Sequence, residues 1–387
     1  MIKRLSILGS TGSVGDQVLE VIDQNPDKYK IDVLSCYGRN LEKFKEQIEK
    51  YEPEMVHVYN EGASKELKTM LRKNHIGIEV LSGEEGLIEA AIYPSADGVI
   101  TSLTGSIGIK PTYEAIKNNK TIYLANKESL VVAGEIITKE SDKRGVDIIP
   151  LDDEPAGIYQ ILGGRSKEYT SNVEKILLSC SGGPFRGKTK KELKDVTVEE
   201  ALNHPKFRMG PKISMESALL LNKAHEVISI YYLFELDSPE KIETFVHPEA
   251  IIHAGVRYID GTEQYSAWLP STKYAIAWAL SPERFENDFE RVDLFKEKKL
   301  TFEKPDLEIF PCLQYGYESL KIGGSMPAAF YYAGDIATDL FLDGKVKFLG
   351  IPKIIKKILD NYKPIEKPTL DYLLNLENKI KDIYKKL

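Results

Sequence analysis

Through the first 150 residues, short apolar runs alternate with longer stretches whose apolar positions recur at every third or fourth place. Residues 5–8, 31–36, 55–58, 98–103, 121–125 and 146–151 are the strand candidates. Between them, 16–25 (with Val18, Leu19 and Ile22 on one face) and 110–118 read as amphipathic helices. Strands alternating with helices predict parallel βαβ units, and so an α/β fold with a Rossmann-like doubly wound N-terminal domain. From about residue 152 the pattern changes. Strand-like runs at 175–180, 244–247, 251–258 and 263–267 surround one long helical stretch, 214–234, which predicts an α+β second domain. Residues 282–311 are charged and aperiodic and read as a linker. Beyond it, Leu373, Leu376, Ile380, Ile383 and Leu387 follow a Pro368-Thr369 start signal at helical spacing. The expected division is 1–151, 152–281, a linker at 282–311, and a helical domain at 312–387.

The length of 387 residues fits two or three domains at roughly 100–200 residues each. With 52 basic and 59 acidic residues the net charge is -7, which gives no general attraction to nucleic acid or to a membrane surface. A phosphorylated anion would need a local site. Mean hydropathy is -0.28, and no apolar run approaches the roughly 20 residues of a membrane span. The first nine residues read as a strand and not as a secretory signal. Cys36, Cys180 and Cys312 are odd in number and form no C-x-x-C pair, so a reducing, cytoplasmic setting fits best.

Candidate chemistry begins at Gly9-Ser10-Thr11-Gly12-Ser13-Val14-Gly15, between the first strand and the first helix. Glycines there allow a pyrophosphate to approach the helix N-terminus, the mark of a dinucleotide site. The second strand ends in Cys36-Tyr37-Gly38-Arg39-Asn40. An arginine in place of the usual acidic residue suits a 2′-phosphate, so NADPH is favoured. Asp152, Asp153 and Glu154 follow the strand at 146–151, and alternation would put Asp152 and Glu154 on one face. An all-oxygen cluster suits Mg²⁺ or Mn²⁺. Ser179-Cys180-Ser181-Gly182-Gly183-Pro184-Phe185 can offer backbone N–H groups to an anion. The loop 204–210, with His204, Phe207 and Gly210, precedes a helical stretch carrying Ser217, Asn222, Lys223 and Glu226.

Taken with Leu124-Ala125-Asn126-Lys127-Glu128-Ser129 and the helical tail, these motifs resemble the 1-deoxy-D-xylulose 5-phosphate reductoisomerase family over almost the whole chain. The resemblance implies an NADPH domain, a catalytic domain and a C-terminal helical bundle, assembled as a homodimer. It implies that Thr11, Gly12, Ser13, Val14, Gly38, Arg39, Asn40, Asn126, Glu128 and Gly210 contact NADPH. Asp152, Glu154 and Glu226 would hold the metal. Ser181, Ser217, Asn222 and Lys223 would bind the phosphate of a ketose substrate, with Lys127, Asp153, Glu154 and His204 at the reacting end and Phe207 over it. The implied reaction rearranges the ketose skeleton on a Lewis-acidic metal and reduces the resulting aldehyde with NADPH.

Several positions depart from the family pattern. Asp153-Glu154-Pro155 stands where the family has Ser-Glu-His, and Phe207 where it has tryptophan. Pro270-Ser271-Thr272-Lys273 replaces Pro-Asp-Met-Arg, and Tyr331-Tyr332-Ala333-Gly334-Asp335 replaces Asn-Ala-Ala-Asn-Glu. His225 replaces leucine. A carboxylate gained at Asp153 favours a substrate with more hydroxyls. Two alternatives therefore stand beside the family activity. One is a paralogue that converts a non-deoxy pentulose or hexulose phosphate to a 2-C-hydroxymethyl polyol phosphate. The other is a non-catalytic NADPH-binding sensor.

Overall fold

The computed structural model describes residues 2–206 and 210–387. The chain forms two compact units from discontinuous segments. The first takes the chain up to Ser129, Ile136–Ala156 and Ser271–Phe289; the second takes Leu130–Glu135, Gly157–Pro270 and Glu290–Leu387.

The first unit is built on seven strands: β1 (Lys3–Leu8), β2 (Tyr29–Cys36), β3 (Met55–Val58), β4 (Glu79–Ser82), β5 (Gly98–Thr101), β6 (Thr121–Leu124) and β7 (Ile148–Pro150). All pair in parallel, in the order β4-β3-β2-β1-β5-β6-β7. The order reverses between β1 and β5, and open sheets bind ligands outside the carboxyl ends of the strands at such a switch point. Every residue of β3 and β5 is buried, because helices cover both faces. That is why neither strand alternates: β5 is apolar but for Thr101, and β3 is apolar but for the buried His57.

The second unit contains β8 (Val173–Cys180), β9 (Ile242–Val246), β10 (Ile252–Tyr258) and β11 (Glu263–Ala267), in the order β11-β10-β8-β9. β8 and β9 are parallel; β10 is antiparallel to both its neighbours. Its C-terminal part is helical: Cys312–Ile322, Met326–Leu342, Ile351–Asn361, Leu370–Leu374 and Leu376–Lys385. Phe330, Tyr331, Ile355 and Ile380 are fully buried there.

Four expectations need correction. β4 was not anticipated, since only Val80 of its four residues is buried and so thin an apolar signal does not register. The helical stretch 214–234 is two helices, Pro211–Ala218 and Leu221–Leu233, parted at Leu220 with φ 54°. The strand expected at 146–151 ends at Pro150, and Asp153 and Glu154 form the first turn of the helix Asp153–Leu162. Strand alternation therefore does not govern the acidic triplet. Finally, 282–311 is not a free linker. Phe289 is 4% exposed within the first unit's core, against Tyr274, while Glu303 exchanges two backbone hydrogen bonds with Val246 in the second unit. The unit boundaries accordingly differ from the consecutive division at 151, 281 and 311.

Candidate active site

The glycine loop lies at the end of β1, on the switch point. Gly9 and Ser10 both donate their backbone N–H to Ser35 O, at 2.9 and 2.8 Å. A Cβ at Gly15 would sit 2.3 Å from Gly9 O, so the fold itself demands that glycine. Gly12 is different. A Cβ there would meet only Gly9 O, at 3.4 Å, and its φ of -81° is ordinary. Its bareness keeps the approach to the N-terminus of helix Ser13–Asp23 open. That helix has no side-chain cap, which leaves the N–H groups of its first turn, including Ser13 and Val14, for an anion. Thr11 accepts from Lys43 Nζ through its carbonyl (3.2 Å), and Asp16 pairs with the same ammonium at 2.5 Å.

Beyond β2, Gly38, Arg39 and Asn40 continue the loop. Asn40 also caps helix Leu41–Tyr51, accepting from Lys43 N at 3.1 Å. Arg39 is exposed, with its guanidinium carbon 5.1 Å from the centroid of the Tyr37 ring. Asn126 is fully buried, and its amide donates to Leu103 O, Gly105 O and Glu128 Oε2. Glu128 Oε1 accepts from Gly105 N at 3.0 Å. These two side chains shape the loop after β5 through its backbone.

Asp152, Asp153 and Glu154 are half-buried at the carboxyl end of β7. Asp152 O accepts from Ala156 N at 3.0 Å, opening the helix in which Asp153 and Glu154 occupy the first turn. Acids there are favoured by the helix dipole, which explains Asp153 without reference to substrate. Lys127 Nζ stands 3.3 Å from Asp152 Oδ2. All of these belong to the first unit, and Glu226 to the second, so neither unit by itself carries all three carboxylates proposed for a metal.

In the second unit, β8 runs into Ser181-Gly182-Gly183. Gly183 has φ 69°, and a Cβ would lie 2.7 Å from Ser217 O, so the loop rests directly on the Ser217 backbone. Ser181 Oγ lies 3.0 Å from His204 Nε2 and accepts from Gly183 N at 3.3 Å. Lys206 N donates to His204 Nδ1 (3.2 Å), which assigns the ring proton to Nε2 and makes His204 a donor to Ser181. Burial also pushes the His204 imidazolium pKa down. With both lone pairs occupied, the Ser181 hydroxyl hydrogen remains to donate. Gly183→Ala is expected to raise KM for a phosphorylated substrate more than it lowers kcat, and to cost about 1–2 kcal/mol of stability or more. Steady-state kinetics and urea unfolding would check both.

One turn of helix Leu221–Leu233 gathers the remaining groups. Glu226, 2% exposed, accepts from Asn222 Nδ2 at 2.6 Å and is ion-paired with the Lys223 ammonium. Asn222 Oδ1 is buried and has no hydrogen-bond partner. The orphaned oxygen and the buried carboxylate offer acceptors to a hard cation, and the buried ammonium a counter-charge to a phosphate. Gly210 caps helix Pro211–Ala218; Phe207 lies outside the described residues.

The departures are not scattered. Within the second unit the His225 ring lies between Phe330 and Tyr331 (centroids at 5.6 and 5.4 Å), with Nδ1 3.8 Å from Glu216 Oε2. Lys212 Nζ reaches both Tyr331 Oη (2.8 Å) and Asp335 Oδ1 (2.7 Å). His225 touches Tyr331, and Tyr331 and Asp335 share Lys212, so these three positions form one connected cluster. Ser271 and Lys273 in turn bond Gln17 Oε1 at 3.2 and 3.0 Å within the first unit. A pair that motif reading missed is Tyr37 and Tyr59, stacked at 5.6 Å. Its signal was register: Cys36 pairs with Val58, and each tyrosine follows within one residue.

Profiles of 1-deoxy-D-xylulose 5-phosphate reductoisomerase match residues 5–134, of its C-terminal domain residues 148–234, and of the DXP reductoisomerase C-terminal domain residues 269–383. The chain is 43% identical over 385 residues to the 1-deoxy-D-xylulose 5-phosphate reductoisomerase of Thermodesulfovibrio yellowstonii, covering 99% of each. It is similar to the solved reductoisomerase of Zymomonas mobilis in complex with NADPH (TM-score 0.91, 33% identity, 100% of this chain and 98% of that one). A DOX-P reductoisomerase in complex with NADPH, fosmidomycin and magnesium superposes with a TM-score of 0.92 at 32% identity and the same coverage.

Proposed function

The chain belongs to the 1-deoxy-D-xylulose 5-phosphate reductoisomerase family, and from that premise we propose how its residues divide the work. It is an NADPH- and divalent-metal-dependent enzyme that converts 1-deoxy-D-xylulose 5-phosphate to 2-C-methyl-D-erythritol 4-phosphate. The observation that carries this is identity spread over the whole chain, with NADPH and magnesium present in solved relatives.

Thr11, Gly12, Ser13 and Val14 bind the pyrophosphate through helix N-terminal N–H groups, and Arg39 takes the 2′-phosphate. Gly38, Asn40 and Gly210 border the cofactor, while Asn126 and Glu128 shape the loop it lies on. Asp152, Glu154 and Glu226 hold Mg²⁺ or Mn²⁺, a hard-cation donor set. The bound metal supplies Lewis acidity toward the substrate oxygens, and NADPH supplies the hydride. Ser181, Ser217, Asn222 and Lys223 bind the substrate phosphate, the Ser181 hydroxyl donating because His204 occupies its acceptor side. Lys127, held beside Asp152, donates to the reacting oxygens, with Asp153 in the adjoining helical turn. Lys223 and Glu226 keep two buried charges compensated, and phosphate and metal each offer one of them an opposite charge. Homodimeric assembly and a cytoplasmic location are part of this reading; three buried thiols fit a reducing compartment. Among the described residues no helix is long and apolar enough to cross a membrane.

The non-deoxy sugar phosphate and sensor readings are not favoured, given the identity to 1-deoxy-D-xylulose 5-phosphate reductoisomerase over the whole chain. NADPH oxidation followed with 1-deoxy-D-xylulose 5-phosphate and Mg²⁺ should be rapid and abolished by chelator. Its kcat/KM should exceed that for D-xylulose 5-phosphate roughly tenfold or more. Preference for the hydroxylated sugar would overturn the assignment, as would NADPH binding without turnover.

A further inference from the structure

Adjacent parallel strands β2 and β3 deliver two tyrosines to one edge of the cofactor loop. The register pairs Cys36 with Val58. Past the strand ends, Tyr59 N donates to Cys36 O (2.9 Å) and Asn60 N to Tyr37 O (3.1 Å), so the backbone fixes one tyrosine against the other. The rings stack at 5.6 Å with an interplanar angle of 22°. Behind them the His57 ring meets Tyr59 edge-on at 6.4 Å. Burial pushes the His57 pKa down to about 4, so no positive charge underlies the stack at neutral pH. In front, the Arg39 guanidinium lies over Tyr37 at 5.1 Å. Among the described residues Arg39 has no hydrogen bond or ion pair, so the ring face is what holds it and its donors stay uncommitted. The neighbouring cation, Lys43, is by contrast already neutralised by Asp16. An arginine steered by a π-face, with all five N–H groups free, is preorganised for an oxyanion.

We propose that Tyr37, backed by Tyr59, is a positioning residue that holds Arg39 for the 2′-phosphate and thereby sharpens the preference for NADPH over NADH. The inference rests on the reading of Arg39 as the 2′-phosphate ligand. Dissociation constants for NADPH and NADH, measured by fluorescence titration on the full chain, test both. Arg39→Ala should weaken NADPH about 5- to 150-fold and leave NADH nearly unchanged. Tyr37→Ala should weaken NADPH about two- to fivefold, again sparing NADH, whereas Tyr37→Phe keeps the ring and should match wild type. In the Arg39→Ala background, Tyr37→Ala should have no further effect on NADPH. Equal loss of both cofactors in Arg39→Ala would overturn the underlying reading. A selective Arg39→Ala with an unaltered Tyr37→Ala would overturn this inference alone. If Tyr37→Ala weakens NADH as much as NADPH, the ring contacts the adenine and does not position Arg39. Tyr37 is 50% exposed, so its removal leaves the core intact.

Discussion

Glu226→Gln is expected to lower turnover of 1-deoxy-D-xylulose 5-phosphate by at least about a hundredfold while leaving NADPH affinity unchanged. Loss of a group that only orients a metal ligand commonly costs 10- to 100-fold, so loss of a proposed ligand charge should exceed that. The substitution preserves shape, but it replaces an acceptor with an amide whose N–H groups face the Lys223 ammonium. Glu226 and Lys223 are 2% and 3% exposed, so the charge that disappears compensates a buried one. Breaking a buried pair in this way typically costs about 3–5 kcal/mol, and a fall in activity could then come from unfolding alone. The double variant Lys223→Met/Glu226→Gln separates the two effects. It should recover much of the stability, since both charges are gone, yet fail to bind Mg²⁺. Direct metal titration is the readout, because Lys223 is itself a proposed phosphate ligand and its loss alone would abolish activity. Near-wild-type activity of Glu226→Gln at limiting Mg²⁺ would remove Glu226 from the metal site.

What could be read in the sequence follows from how local each signal is. The glycine loop is legible because Gly9, Gly12 and Gly15 answer constraints within a few residues of each other. The core strands are legible because burial on both faces makes them predominantly apolar, with only scattered buried polar residues such as Ser6 and His57. The break at Leu220 is not, since Leu221–Leu233 is buried almost all round and a helix without a polar face gives no period to interrupt. The start of helix Asp153–Leu162 did carry its sign, acids in a first turn, but the preceding apolar run made a longer strand the simpler reading. The charged stretch 282–311 hides Phe289, one aromatic among charges, whose packing partner is set by tertiary contact. His225, Tyr331 and Asp335 were each visible as a departure. Their connection was not, because over a hundred residues separate the first from the others and no periodicity spans that distance. Taken together they form one connected cluster of the second unit, joined through the His225–Tyr331 contact and Lys212.

Acidification from pH 7 to pH 4.5 is expected to cost about 2–3 kcal/mol at each of two histidines, above the range where carboxylates held low begin to titrate. His57 in the first unit and His253 in the second are 0% and 4% exposed. Burial pushes both pKa values down to about 4 from the ordinary 6.5, with a hydrogen bond to a carbonyl opposing it in each case. The bonding explains the neutral form. His57 Nε2 donates to Gly83 O at 2.9 Å, while Nδ1 accepts from Ser35 Oγ at 2.8 Å, so a second ring proton would displace the serine. His253 Nε2 donates to Trp268 O at 3.0 Å, and the ring stacks on Trp268 at 4.5 Å. Because the unfolded chain binds these protons more readily than the folded one, their contribution is complete above about pH 6.5 and is lost as pH falls toward 4. Carboxylates held low, such as Glu54 at about 2, act in a lower window and lose their contribution only below about pH 4.5. Urea midpoints at pH 7, 5.5 and 4.5 should therefore fall above the range where the low carboxylates titrate, with Asp335 and Asp339, whose pKa values burial raises, offsetting part of the loss. His57→Gln supplies the control. It should be less stable than wild type at pH 7, having lost a fitted buried ring, yet show a shallower fall between pH 6.5 and 4.5. If wild type and variant decline in parallel, His57 does not titrate in this window, and the acid sensitivity of the first unit has another source.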